Sequence, residues 1–157
     1  MADLLNNTNS NANNYGDDAI VTLSPREHIR LRPGMYVGVV GDGSQPDEAL
    51  YVLIKEVVDN SIDEFIMGAG RQIDITLADN VVTVRDYGRG IPLKSLAAAV
   101  GQMNTGGKYG GDAFKKTVGL NGVGVKAVNM LSEEFTARSV RDGEARTVTF
   151  AKGLEVS

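Results

Sequence analysis

The chain contains no cysteine and a single histidine, His28. The missing cysteines exclude disulfides and thiolate metal sites. One histidine is too few for the usual nitrogen-rich zinc centres, so zinc is not expected. Long apolar runs are absent as well: none approaches the ~18 residues of a membrane-spanning helix. The opening MADLLNNTNSNANN lacks the basic head and apolar middle of a secretory signal, and its asparagine content reads as disorder. A cytoplasmic protein without membrane contact is expected. The net charge of −4 argues against non-specific nucleic-acid binding by this chain alone.

What is present is an ordinary 42% of hydrophobic residues in 157, enough for one domain with a real core. Glycine is in excess: 19 residues, about 12% against a usual ~7%. The excess is local, mostly between Gly88 and Gly124. That region is also basic. From Arg85 to Lys126 there are seven Lys/Arg and two Asp, a basic island in an acidic chain. Solvated charge explains it, and so does an anionic ligand such as phosphate, which glycine backbone and cations bind together.

Residues 1–24 read as a flexible arm and 25–157 as one domain. Pro25–Leu31 is a short helix. RPGMYVG, Arg32 to Gly38, reads as a turn and then extended chain because Pro33-Gly34 punctuates it. Asp47 is placed to cap a helix over Leu50–Met67. In that helix Leu50, Leu53, Ile54, Val57, Ser61 and Phe65 share one face at ~100° per residue. RQIDITL and VVTVRD are two strands joined by the ADN turn. A helix follows from Lys94 to about Met103, then a loop from Asn104 to Thr117, then a helix over Gly122–Ser132 entered through glycines. EFTARSV and ARTVTFA form a hairpin around Asp142-Gly143. The order predicts an α+β fold, a two-layer sandwich with helices on one face of a mixed, mostly antiparallel sheet.

Four constellations carry chemistry. In EVVDNSIDE, Glu56 and Asn60 lie about 40° apart at the edge of the apolar face. They are either an exposed polar stripe, or a base and a hard oxygen ligand suited to magnesium. Glu64 falls inside the apolar arc, where a carboxylate needs a cationic partner or titrates high. DYGRGIP follows a strand. Gly88 and Gly90 would let backbone approach a flat ligand, and Asp86 could accept from an exocyclic amine; a simple strand-ending turn reads equally well. NTGGKYGG looks like a Walker A loop but is one residue too long, has Tyr109 in place of Ser/Thr, and follows a helix. It remains a candidate basic loop over phosphates. GLNGVGVKAVN opens a helix with glycines, which frees N–H groups for an anion; a glycine hinge is the plainer reading. Taken in order, the four form one self-consistent ATP–Mg2+ site.

RPGMYVG, EVVDNSIDE, DYGRGIP, TGGKY and GLNGVGVKAVNMLS together resemble the ATPase family of gyrase B subunits, MutL, heat-shock chaperones and histidine kinases. Within it they resemble the ATPase subunits of bacterial type II topoisomerases, gyrase B and its topoisomerase IV counterpart, from about Tyr15 onward. RPGMY is the discriminating piece. The resemblance implies the Bergerat ATP-binding fold and the cofactors ATP and Mg2+. It implies Glu56 as general base, Asn60 as metal ligand and Asp86 as the adenine-binding carboxylate, with Gly90, Ile91 and Pro92 beside it. Gly106, Gly107, Lys108, Gly122, Val123, Gly124 and Val125 would hold the phosphates. Glu64 and Arg89 would form an ion pair, and Arg141 would stand at the pocket mouth. Tyr15 and Ile20 would belong to an arm that reaches into a second copy of the chain, dimerised by ATP. The wider partners implied are a DNA-cleaving A subunit and duplex DNA. Tyr87 stands where Asp is common, which should alter the pocket edge, and Asn121 replaces a frequent His. The chain reads as truncated: the later strand with a pocket threonine, and the domain supplying a γ-phosphate lysine, are not matched. Thr147 and Thr149 are not that threonine. Weak turnover by this stretch alone is the expectation. The rivals are another ATPase of this fold, a histidine kinase module, and a nucleotide-gated dimerisation module without turnover.

Overall fold

The computed structural model describes residues 19–105 and 122–157. The first helix, α1 (Pro25–Leu31), opens on a capping box. Ser24 Oγ accepts from the Glu27 backbone N–H, and the Glu27 carboxylate accepts from Ser24 N–H. Pro25 occupies the first turn, where its missing N–H costs nothing. RPGMYVG does not continue as extended chain. It forms a helical turn, α2 (Gly34–Val37). Pro33, at φ −58°, is already helical, and its carbonyl accepts from the N–H groups of Tyr36 and Val37 at 2.9 and 3.0 Å. The turn buries Val37. His28 Nδ1 lies 2.7 Å from Tyr36 Oη with the rings edge-on, so the lone histidine joins α1 to α2.

The long helix α3 (Ala49–Ile66) starts one residue earlier than expected, and its N-cap is Glu48 in place of Asp47. Glu48 makes no side-chain cap. Its buried carboxylate instead accepts from the Gly43 N–H across the preceding loop. The expected inward face is only partly inward. Leu53, Ile54 and Val57 are half-buried, but Leu50 and Phe65 are 49% and 59% exposed. The most enclosed α3 residues are Asp59, Ser61 and Asp63. Burial follows packing partners, not the apolar arc. Asp59 is matched by Lys55 one turn earlier, whose ammonium is held charged above its usual range, chiefly by that hydrogen bond.

β1 (Ile73–Ala78) and β2 (Val81–Asp86) pair antiparallel from Ile73–Asp86 to Ala78–Val81. After a 3₁₀ turn (Leu93–Ser95) comes α4 (Leu96–Gly101), shorter than the expected helix. α5 (Gly124–Leu131) leads into β3 (Glu134–Arg141), β4 (Glu144–Ala151) and a short β5 (Leu154–Glu155) that the sequence does not signal. The links Asp79-Asn80, Asp142-Gly143 and Lys152-Gly153 have positive φ at both residues, the two-residue hairpin geometry whose twist matches the flanking strands. The fold is α+β. Among the described residues the sheet is two antiparallel pieces, β1–β2 and β3–β4–β5.

The core lies where α4 and α5 cover β3 and β4. Leu96 and Val100, one turn apart, meet Val148 and Phe150, with Ala97, Val125, Phe135 and Ala137 around them. α5 is the hub. It packs against α1, α3 and α4, and Arg30 donates to the Met130 carbonyl at 2.8 Å. α3 packs against both α5 and β2, which brings the end of β2 near Ser61 and the start of α5 near Glu56. No described helix is long and apolar enough to cross a membrane.

Candidate nucleotide-binding site

Glu56 is half-buried on α3 and Asn60 follows one turn later, exposed. The Asn60 amide nitrogen donates to the Glu56 carbonyl at 2.8 Å, which orients the side chain along the helix. The Glu56 carboxylate reaches across to the start of α5. A Cβ built on Gly124 would lie 1.7 Å from Glu56 Oε2. Only a glycine lets this carboxylate occupy that place, so two segments far apart in sequence share one small volume.

Asp86 ends β2. Its Oδ1 accepts from the Gly88 N–H at 2.9 Å, and Ser61 Oγ stands 3.4 Å from Oδ2. A cavity of about 200 Å³ opens here, lined by Ser61, Phe65, Gly70, Ile73 and Asp86 among others. It is smaller than the ~300–1,000 Å³ of drug-sized ligand pockets, and of the expected nucleotide-site residues only Asp86 lines it. In the sequence Ser61 reads only as part of the apolar face. Its spacing of five residues from Glu56 carries no motif, and its place beside Asp86 emerges only from the fold.

Tyr87 faces the other way. Its hydroxyl donates to Asp74 Oδ2 at 2.7 Å, and the Arg85 guanidinium lies 4.5 Å from its ring centre. Asp74 is held below the usual carboxylate range by hydrogen bonds from Gln72 first and Tyr87 second, and the Tyr87 phenol is raised by Asp74 in turn. The tyrosine thus ties the end of β2 to β1.

The DYGRGIP turn is fastened on two sides. Toward α3, Arg89 donates from its backbone N and Nε to Glu64 Oε2 at 3.0 Å, and from Nη2 to Oε1 at 2.8 Å. Hydrogen bonding to Glu64, and then its charge, hold the guanidinium above its ordinary pKa. Glu64 is less enclosed than the apolar arc suggests, with its side chain 26% exposed. A pair this open contributes about 1 kcal/mol at most, so its consequence is orientation more than stability. Toward β3, Ser139 Oγ donates to the Ile91 carbonyl at 2.7 Å and Arg141 Nη1 to the Gly90 carbonyl at 3.3 Å. Gly90, at φ +73°, packs so closely that an added Cβ would sit 2.4 Å from the Val140 carbonyl oxygen. Pro92 then enters the 3₁₀ turn, its carbonyl accepting from Ser95 N–H. Side chains, not a strand ladder, join the end of β2 to β3.

Gly122, Val123, Gly124 and Val125 are half-buried at the mouth of α5, next to Glu56. Gly106, Gly107, Lys108, Asn121 and Tyr15 lie outside the described residues. Ile20 is 64% exposed. Among the described residues no group of three or more His, Cys, Asp or Glu could cage a metal. A divalent ion held by one protein oxygen, water and phosphates fits such a surface, and that is the habit of magnesium.

The chain is similar to known proteins. The family described as "Histidine kinase-, DNA gyrase B-, and HSP90-like ATPase" matches residues 45–155. The DNA topoisomerase 4 B subunit of Borreliella burgdorferi is 56% identical over 140 residues, 89% of this chain and 23% of that protein. The DNA gyrase B subunit of Rickettsia conorii is 42% identical over 153 residues, 92% of this chain and 18% of that protein. The 43K ATPase domain of Thermus thermophilus gyrase B, solved with an aminocoumarin, superposes with a TM-score of 0.66 at 28% identity, covering 83% of this chain and 32% of that one. This chain thus spans about a fifth of the length of the curated relatives it matches. With that family model matched over residues 45–155, the chain belongs to the histidine kinase-, DNA gyrase B- and HSP90-like ATPase family.

Proposed function

We propose that this chain binds ATP with Mg2+ as part of a type II topoisomerase ATPase subunit of the gyrase B or topoisomerase IV B kind. The observation that carries the reading is the meeting of Glu56 with the glycine-opened start of α5, on the same helix whose Ser61 faces Asp86. Asp86 accepts the exocyclic amine of adenine, with Gly90, Ile91 and Pro92 shaping that side. The N–H groups of Gly122 to Val125 meet the phosphates at a helix N-terminus, where the dipole favours anions. Gly106, Gly107 and Lys108 complete that cradle by resemblance. Asn60 offers an amide oxygen to the metal ion, which when bound neutralises phosphate charge. Glu56 polarises the attacking water and receives its proton on the carboxylate. Positioning and electrostatics carry most of such a phosphoryl transfer. Arg141, tied to Gly90, borders the mouth.

Dimerisation through the arm bearing Tyr15 and Ile20, work with a DNA-cleaving A subunit and passage of duplex DNA belong in this reading to a cytoplasmic protein of the relatives' length. We assign turnover to that protein and nucleotide binding to these residues. Calorimetric titration of the chain with a non-hydrolysable ATP analogue, with and without Mg2+, tests it. The expected result is one saturable site whose affinity gains roughly tenfold, about 1.4 kcal/mol, from the metal. No binding heat at millimolar nucleotide in either condition overturns it.

A further inference from the structure

Lys126 is the one buried lysine among the described residues, 3% exposed in the third position of α5. An ammonium out of water is costly unless its donors are satisfied. Here Nζ donates to the Thr105 carbonyl at 2.7 Å and also to the Gly122 carbonyl. Thr105 closes the segment after α4, and Gly122 begins the entry into α5. One charge therefore holds two points of chain that are remote in sequence. One turn further along the same helix, Asn129 is fully buried and donates from Nδ2 to the Val100 carbonyl at 3.0 Å, inside α4. Lys126 and Asn129 thus form a pair of donors from α5 that take carbonyls on the 100–105 stretch. Asn129 fixes the helix end, and Lys126 fixes the point where the chain departs and the point where it returns.

We infer that Lys126 is a positioning residue for nucleotide binding. By clasping Thr105 to Gly122 it sets where the Gly122–Val125 N–H groups stand relative to α3 and Glu56. A lone solvated lysine of the basic island would not do this. Its ammonium is turned inward onto backbone oxygens, so it acts through the backbone and does not itself meet the phosphates. The inference rests on the ATP reading for its functional consequence, and on the two hydrogen bonds alone for its structural one.

Three proteins test it: the wild-type chain, Lys126→Met, which keeps the length and removes the donors, and Lys126→Arg, which keeps charge and donors. Hydrogen exchange without nucleotide is read at the amides of residues 101–105 and 122–126. Calorimetry with the non-hydrolysable ATP analogue and Mg2+ is read alongside. The expected result for Lys126→Met is exchange at least tenfold faster in those two stretches, unchanged exchange in β3 and β4, and analogue affinity reduced about tenfold. Lys126→Arg restores most of both. Exchange and affinity equal to wild type in Lys126→Met overturn the inference. So does a global loss of helical circular dichroism that Lys126→Arg leaves unrepaired, which would make the lysine a prop for the whole fold. If the wild-type chain binds no analogue, the ATP reading fails by itself, and the exchange arm still decides whether Lys126 holds the two segments.

Discussion

Gly90→Ala is expected to lower stability by about 3–5 kcal/mol, the range of a named backbone defect and not of an ordinary surface change. Two costs add. The residue sits at φ +73°, which an L side chain tolerates poorly, and its new Cβ would stand 2.4 Å from the Val140 carbonyl oxygen and 3.0 Å from Ser139 Oγ. A side chain in the way could rotate; a strand carbonyl cannot without disturbing β3. The Ser139–Ile91 and Arg141–Gly90 bonds that join the turn to β3 would open with it. For a domain of this size each kcal/mol moves Tm by about 2–4 °C, so a fall of roughly 6–20 °C is expected in a thermal melt. Gly143→Ala supplies the comparison. Gly143 has φ +81° with nothing within 4 Å of the added Cβ, so it carries the backbone cost alone. Equal shifts for the two variants would show that the Val140 contact is unimportant.

Glu56→Gln is expected to reduce ATP turnover by about 10²–10⁴-fold in a protein of the relatives' length, the usual contribution of a general base. The amide keeps the shape of the carboxylate against Gly124 but cannot accept the proton. The barrier rises by about 3–5 kcal/mol, while affinity for a non-hydrolysable analogue stays within about threefold. Turnover and affinity falling together would place Glu56 in binding and take away its role as base. Turnover within tenfold of wild type would remove it from the chemistry.

Local chemistry is legible where a residue type has one main use. The hairpin at Asp142-Gly143, the Pro25 start of α1 and the length of α3 follow from turn and helix rules, and they lie within a residue or two of the expected places. What misleads is context. Pro33 reads as a breaker, yet its fixed φ also suits the start of a helix, and α2 uses it so. Periodicity puts Phe65 inside and leaves Asp63 unplaced, but α3 is covered by α5 and β2 along a different line, so Phe65 is exposed and Asp63 buried. No pattern in one sequence says which neighbour arrives on which side. The site divides in the same way. Glu64 asks for a cation, and the structure sets Arg89 against it with three hydrogen bonds. Ser61 and Lys126 make no such visible demand, because a serine on an apolar face and a lysine in a basic stretch are both commonplace. Their contacts depend on β2 and on the Thr105 segment coming close, which is a tertiary event.

In the proposed site ATP lies along α3, from Asp86 at the end of β2 to the glycine-opened start of α5. Chemical-shift mapping of the isotope-labelled chain during titration with the non-hydrolysable ATP analogue and Mg2+ tests this most directly. The largest shifts are expected at Glu56, Asn60, Asp86, Gly90, Gly124 and Val125, with the Lys152-Gly153 turn unmoved. Shifts confined to other surfaces, with Asp86 and Gly124 unmoved at saturation, would contradict it.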